Sequence, residues 1–188
     1  MLAGRMYRGT DPELVRGQIR AQDLVARYHA TSAGDRAAQV GILRELLGSV
    51  GEGVTIRPRF ACDYGSNIRI GDRTFINFDC VFLDCAAIEI GADVQIAPGV
   101  HLYTAQHPID PVTRRDGLEY ALPIRIEDNV WLGGRVVVCP GVTIGRDTIV
   151  GAGSVVVRDL PPGVVAAGSP ARPIRDVTSD PPHRARGD

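Results

Sequence analysis

From Ile126 onward an aliphatic side chain returns at every sixth position: Ile126, Leu132, Val138, Ile144, Val150 and Val156. A second column, displaced by four residues, is small or β-branched: Val130, Val136, Val142, Thr148 and Ser154. Neither the helical period of 3.6 nor the strand period of 2 generates such a pattern. Hexads mark a parallel β-helix, in which short strands form flat faces and turns form the corners. One aliphatic side chain per hexad fills the interior, and the small residue fits near a corner.

The columns extend upstream. Ile70, Ile76 and Phe82 form one run, with Thr74 and Cys80 in the small column; Ile90, Ile96 and Leu102 form the next, with Val94 and Val100. The phase slips by two residues between Phe82 and Ile90, which predicts a small bulge at Asp84–Ala87. Ile90 and Ile126 are 36 residues apart (126 − 90), two coils of 18 if three hexads make a coil. Residues 103–122 carry no hexads of their own and are expected to leave the solenoid. Loops of this length in a compact domain are usually functional or disordered. Two prolines, with Tyr103 and Tyr120 at its ends, predict an ordered lid.

Residues 1–53 differ in kind. Thr10-Asp11-Pro12-Glu13 reads as a helix start, with Thr10 or Asp11 as cap and Pro12 in the first turn. Leu14, Ile19, Leu24 and Tyr28 supply an apolar stripe. A second amphipathic segment after Ser32 carries Ala37, Val40, Leu43, Leu46 and Leu47. The expected organisation is a helical leader at 1–53, a β-helix at 54–176 and a disordered tail at 177–188. Val164–Ala167 reads as a last strand, and the basic segment from Gly168 as an extended stretch leaving the coil.

Composition sharpens this picture. Aromatic residues make up 5% of the chain and there are 22 glycines, as a narrow interior of Ile and Val with many tight corners requires. The formal net charge of −1 carries no footprint for nucleic acid or an anionic membrane surface. No apolar run reaches the ~18 residues of a transmembrane span, and the start lacks the apolar stretch of a signal peptide. Cys62, Cys80, Cys85 and Cys139 show no paired spacing and are expected to be reduced thiols in a cytoplasmic protein.

Four histidines are candidates for proton transfer. His29 falls in a helix and His183 in the tail. His101 precedes the interior Leu102, so it points outward. His107 stands in the excursion, where a rigid scaffold presents a loop, and imidazole is the side chain suited to accept a proton near neutral pH. A zinc site shared across subunits would need a third histidine in the solenoid, and none is there; no metal is expected.

The run Gly99-Val-His-Leu-Tyr-Thr-Ala-Gln-His-Pro-Ile-Asp-Pro111, with Asn129-Val-Trp-Leu-Gly-Gly134, Pro140-Gly-Val-Thr-Ile-Gly145, Cys62-Asp-Tyr-Gly65 and Asn77-Phe-Asp79, resembles the hexapeptide-repeat sugar O-acetyltransferases of maltose-acetyltransferase type. Galactoside acetyltransferase and the acetyltransferase of nodulation-factor synthesis are relatives within that resemblance. It runs from Ala3 to about Val177. The resemblance implies a left-handed parallel β-helix, a homotrimer with sites between subunits, and transfer of acetyl from acetyl-CoA to a sugar hydroxyl. It makes His107 the catalytic base and assigns sugar contacts to Asp63, Asn77 and Cys85. It assigns acetyl-CoA contacts to Gly134, Ala152, Val157, Arg158, Arg172 and Arg175. Trp131, the one tryptophan, faces outward and lines either the acceptor site or the trimer interface. Three departures matter: Gly134 stands where some relatives have Ser, and Cys85 and Asp63 stand where the galactoside enzyme has Asp and Ser. Sugar preference therefore does not transfer from that relative. A xenobiotic O-acetyltransferase of the same fold is the alternative reading.

Overall fold

A computed structural model describes residues 1–177 of the chain. Its body is the expected parallel β-helix, a triangular prism of three strand ladders. Face one stacks Ser49–Val50, Ile68–Ile70, Ile88–Ile90, Ile124–Ile126 and Thr143–Ile144. Face two stacks Thr55–Ile56, Phe75–Ile76, Gln95–Ile96, Trp131–Leu132, Ile149–Val150 and Val164–Gly168. Face three stacks Ala61–Cys62, Val81–Leu83, His101–Tyr103, Val137–Val138 and Val155–Val156. Every residue of the two hexad columns is buried, from Ile70 through Val156. Alternation turns one side chain inward on most strands, and two on Ile68–Ile70, Ile88–Ile90 and Ile124–Ile126; full burial of an aliphatic group stabilises by roughly 1.5–3 kcal/mol.

The register corrects the coil arithmetic. Ile90 lies directly opposite Ile126, so the 36 residues between them are one coil, not two. Upstream the spacing is 20, as in Ile70 opposite Ile90; downstream it is 18, as in Ile126 opposite Ile144. The phase slip is thus a longer corner between faces three and one, at Asp84–Ala87 as expected. The excursion leaves from this same corner in the next coil and pairs with itself, so the chain rejoins the ladder where it left. Ala105–Gln106 pairs antiparallel with Tyr120–Ala121, and the leader strand Tyr7–Arg8 pairs with Leu118–Glu119.

The corner between faces one and two holds Arg73, Asp93, Asn129 and Asp147 at φ 57°, 59°, 56° and 61°. Asn and Asp tolerate this left-handed conformation better than most residues. Their side chains form ladders between coils, with Arg73 Nε and Nη2 donating to the two Asp93 carboxylate oxygens at 2.7 Å each. Asn129 Nδ2 donates to Asp147 Oδ1 at 2.8 Å.

The leader is a helical hairpin, α1 at Pro12–Ala30 and α2 at Arg36–Leu46. Asp11 caps α1 by accepting from the Glu13 N–H at 2.9 Å. Leu24, Tyr28, Leu43 and Leu46 join Val54, Ile56 and Phe60 in one buried cluster, so the hairpin closes the open end of the prism. The expected stripe fails at Ile19, which is 54% exposed; Ala21 takes the inner position, because it shares a face with Leu24 and Tyr28 at helical spacing. Strand stacking begins at Ser49–Val50, slightly ahead of residue 54. At the other end, the basic segment does not leave the coil. It reverses after Gly168 and Ala171–Asp176 returns antiparallel along Val164–Gly168, because an unpaired edge at the end of a solenoid would leave backbone donors and acceptors unmet. Beyond Val177, the expected disordered tail lies outside the described residues. Among these, no helix is long and apolar enough to cross a membrane.

Candidate active site

The excursion holds His107 by pinning both sides of it. Tyr120 Oη donates to Gln106 Oε1 at 2.5 Å. After His107, Asp110 caps the short helix α3, Pro111–Arg115, accepting from the Thr113 N–H and hydroxyl at 2.7 Å each. Arg114 Nη1 reaches back to the carbonyls of Pro108 and Ile109, at 3.0 and 2.9 Å. Between these anchors Pro108 is buried, while the His107 side chain is exposed. His101 differs as expected: it lies on the outer surface of face three, and its Nδ1 meets the Tyr103 hydroxyl.

Beneath the excursion, at the long corner, the structure brings together Asp63 and Cys85. The Cys85 thiol donates to Asp63 Oδ2 at 3.4 Å. Burial pushes the Asp63 carboxyl above its ordinary range; the thiol opposes this and the nearby Glu119 adds to it. Burial likewise raises Cys85 to about 12, so the thiol stays protonated at neutral pH. Three residues that no motif pointed to complete this corner. Asp84, fully buried, accepts from the backbone N–H groups of Asp63, Tyr64 and Asn67 at 3.0, 2.8 and 3.2 Å, and so fixes the turn that presents Asp63. Its only sequence signal was the phase slip. Tyr7 and Glu119 arrive from the leader strand and the excursion, as direct partners in an antiparallel pair that hexad spacing cannot reveal.

The remaining sugar candidates lie elsewhere. Asn77 sits at the corner between faces two and three, its Oδ1 accepting from the Phe78 N–H at 2.9 Å. With Phe75, Gln95 and the 52%-exposed Trp131 it lines a cavity of about 200 Å³ on face two. Within one chain, therefore, Asp63, Cys85 and His107 occupy one edge of the prism, and Asn77 and Trp131 another.

The candidates for acetyl-CoA all fall in the C-terminal coils but do not form one patch. Gly134 and Ala152 are stacked above Asn77 on the second edge, with the Gly134 carbonyl accepting from the Gly153 N–H at 2.8 Å. A side chain at Gly134 would meet Pro98 O no closer than 3.5 Å, so the backbone accepts either glycine or the serine of other relatives. Val157 and Arg158 are exposed where the last coil turns from face three toward face one. Arg172 and Arg175 are exposed on the return strand, at the end of face two. Among the described residues no group of three or more His, Cys, Asp or Glu side chains could hold a metal ion, and the four cysteines are free.

The sequence and the fold agree with known proteins. Residues 1–51 match the maltose acetyltransferase hexapeptide capping motif, and residues 123–158 match the bacterial transferase hexapeptide of six repeats. The chain is 51% identical to nodulation protein L of Rhizobium meliloti over 92% of its own length and 94% of that protein's. It superposes on the crystal structure of a maltose O-acetyltransferase from Clostridium difficile with a TM-score of 0.92 at 44% identity, covering 94% of each chain. A hexapeptide-repeat acetyltransferase from Vibrio cholerae, solved in complex with acetyl coenzyme A, gives 0.89 at 41% identity, covering 94% of this chain and 96% of that one. The stacked hexads, the helical cap and these likenesses over nearly the whole length mean that the chain belongs to the hexapeptide-repeat acetyltransferase family.

Proposed function

We propose that this acetyltransferase moves acetyl from acetyl-CoA to a sugar hydroxyl, the primary 6-hydroxyl of an acceptor such as maltose or glucose, with His107 as general base. The observation that carries the reading is the placement of an exposed, anchored His107 on the excursion that roofs the polar corner of Asp63 and Cys85. A sugar hydroxyl is a weak nucleophile at neutral pH. His107 would take its proton as the oxygen attacks the thioester carbonyl, and would return that proton to the departing thiolate, a contribution of roughly 10²–10⁴ in rate. The oxyanion that forms meanwhile needs a fixed donor, which the backbone N–H of Gly134 can supply without a side chain.

Gly134 and Asn77 are on a different edge from His107, so one copy cannot assemble this set. We infer a homotrimer in which the His107 edge of one subunit faces the Asn77 edge of the next. Exposed Phe78, Ile109, Trp131 and Val157 support such association, since apolar side chains gathered on outer edges favour burial between copies. The nucleotide end of acetyl-CoA would lie at the end of face two by Arg172 and Arg175, whose guanidinium groups pair with phosphate through charge-assisted hydrogen bonds.

The test is His107→Ala with acetyl-CoA and a panel of sugars, following release of free thiol. We expect kcat to fall by roughly 10²–10⁴ with little change in KM for acetyl-CoA, because the lost interaction belongs to the transition state. His101→Ala is the control and stays near wild type. Activity of His107→Ala within twofold of wild type would remove it from the mechanism. Turnover of antibiotic hydroxyls in preference to every sugar would replace the acceptor class.

A further inference from the structure

Among the described residues, one buried side-chain polar atom, the hydroxyl of Tyr7, makes no hydrogen bond of normal geometry, although the Cys85 thiol and the Glu119 carboxyl stand beside it. Such an atom costs roughly 1–3 kcal/mol unless something satisfies it. Its position is set by three elements. The leader strand pairs Tyr7 directly against Glu119 of the excursion, and residues opposed in an antiparallel pair project to the same side. The Tyr7 ring packs on the cluster of Tyr64, Cys85, Ala86 and Ala121, which brings the phenol to the long corner. The Cys85 thiol there donates to Asp63. The Tyr7 hydroxyl thus sits beside the Cys85 sulfur and the Glu119 carboxyl, and no main-chain acceptor takes its proton.

We propose that Tyr7, with Glu119 beside it, is a specificity-determining residue of the acceptor site, reading one hydroxyl of the sugar. This rests on the sugar reading given above. A phenol can donate and accept, and a carboxylate accepts, so the pair can clamp a hydroxyl that is donor and acceptor at once. Burial, with Cys85 and Glu119 adding to it, holds the phenol far above its ordinary range, so it keeps its proton for donation. The leader therefore does more than close the end of the prism: its first strand carries a substrate contact to the excursion that bears His107.

The experiment compares wild type with Tyr7→Phe on a parent sugar and on analogues each lacking one hydroxyl. The ring, and so the packing, is kept. A site built to pair a substrate hydroxyl loses rate when either half of the pair is removed. We expect kcat/KM for the parent sugar to fall about tenfold, the order of one lost hydrogen bond, with KM for acetyl-CoA unchanged. On one deoxy analogue the two enzymes become equal, because the hydroxyl that Tyr7 reads is already gone. The melting temperature of Tyr7→Phe should be equal or higher, since deleting an unpaired buried hydroxyl is neutral or stabilising. Glu119→Gln should show its largest loss on the same parent hydroxyl. A penalty of equal size on every analogue, or no penalty on any, overturns the assignment of Tyr7 while leaving the sugar reading intact. Failure of the wild-type protein to acetylate any sugar overturns both.

Discussion

The charge state of single residues at the long corner has a measurable consequence. Asp63 is half-buried and its carboxyl is raised, first by burial and further by Glu119. In the folded protein it therefore keeps a proton to higher pH than in the unfolded chain, where it titrates near ~3.9. Between those two values the folded state binds more protons, and stability falls as pH rises through the window. Asp63→Asn has nothing to ionise and escapes that loss. Its melting temperature should match wild type at about pH 3, exceed it increasingly as pH rises through the raised titration of Asp63, and hold a constant excess above it, in thermal unfolding at a series of pH values. A difference that is flat with pH would mean that the folded environment does not raise Asp63. The same variant should lose affinity for the acceptor, so the residue trades stability for binding, as strained sites commonly do. Asp63 was singled out through the family resemblance of its motif, and the structure sets it beside Cys85. Asp84 was not, since a carboxylate that serves three backbone N–H groups leaves no spacing in the sequence beyond a slipped phase.

At the scale of elements, legibility followed periodicity. Ile126 to Val156 read directly as a solenoid because each hexad must bury one side chain in a narrow interior. The interval from Ile90 to Ile126 was misread because one coil with its excursion spans 36 residues, the same length as two plain coils of 18. The antiparallel pairings were not legible: Tyr7–Arg8 is too short to show alternation, and Ala171–Asp176 is exposed at every position after Ala171, so it carries no alternating pattern. The return strand bears on the proposed acetyl-CoA site. It holds Arg172 opposite Ala167 and Arg175 opposite Val165, and so fixes both guanidinium groups to the last coil instead of a loose segment. Changing both to Ala should raise KM for acetyl-CoA roughly tenfold or more, two phosphate contacts at about the strength of charged hydrogen bonds, with a smaller effect on kcat. KM for the sugar should not move. Unaltered binding of acetyl-CoA, measured by calorimetry, would place its phosphates elsewhere.

At the scale of the whole molecule, the separation of the candidate residues onto two edges is the dominant fact. Corners between faces are fixed by the register of every coil, and no hinge in the prism can carry Asn77 to His107. If each site takes its base from one subunit and its Asn77 and Gly134 from the neighbour, two crippled chains can repair one another. His107→Ala removes the base from one side of an interface, and Asn77→Ala removes the acceptor contact from the other. Each variant alone should be strongly impaired, because every interface in its trimer carries the lesion. In trimers assembled at random from equal amounts of both, an interface is intact when an Asn77→Ala subunit offers its His107 to the Asn77 of a His107→Ala subunit. Every closed ring of three that carries both chains holds one such interface, so trimers purified through both tags should recover roughly a third of wild-type activity. Co-expression of the two chains with different tags, purification through both, and assay of thiol release would measure it. Recovery no greater than the sum of the separate variants would mean that each chain builds its site alone, and the inference from the two edges would fail.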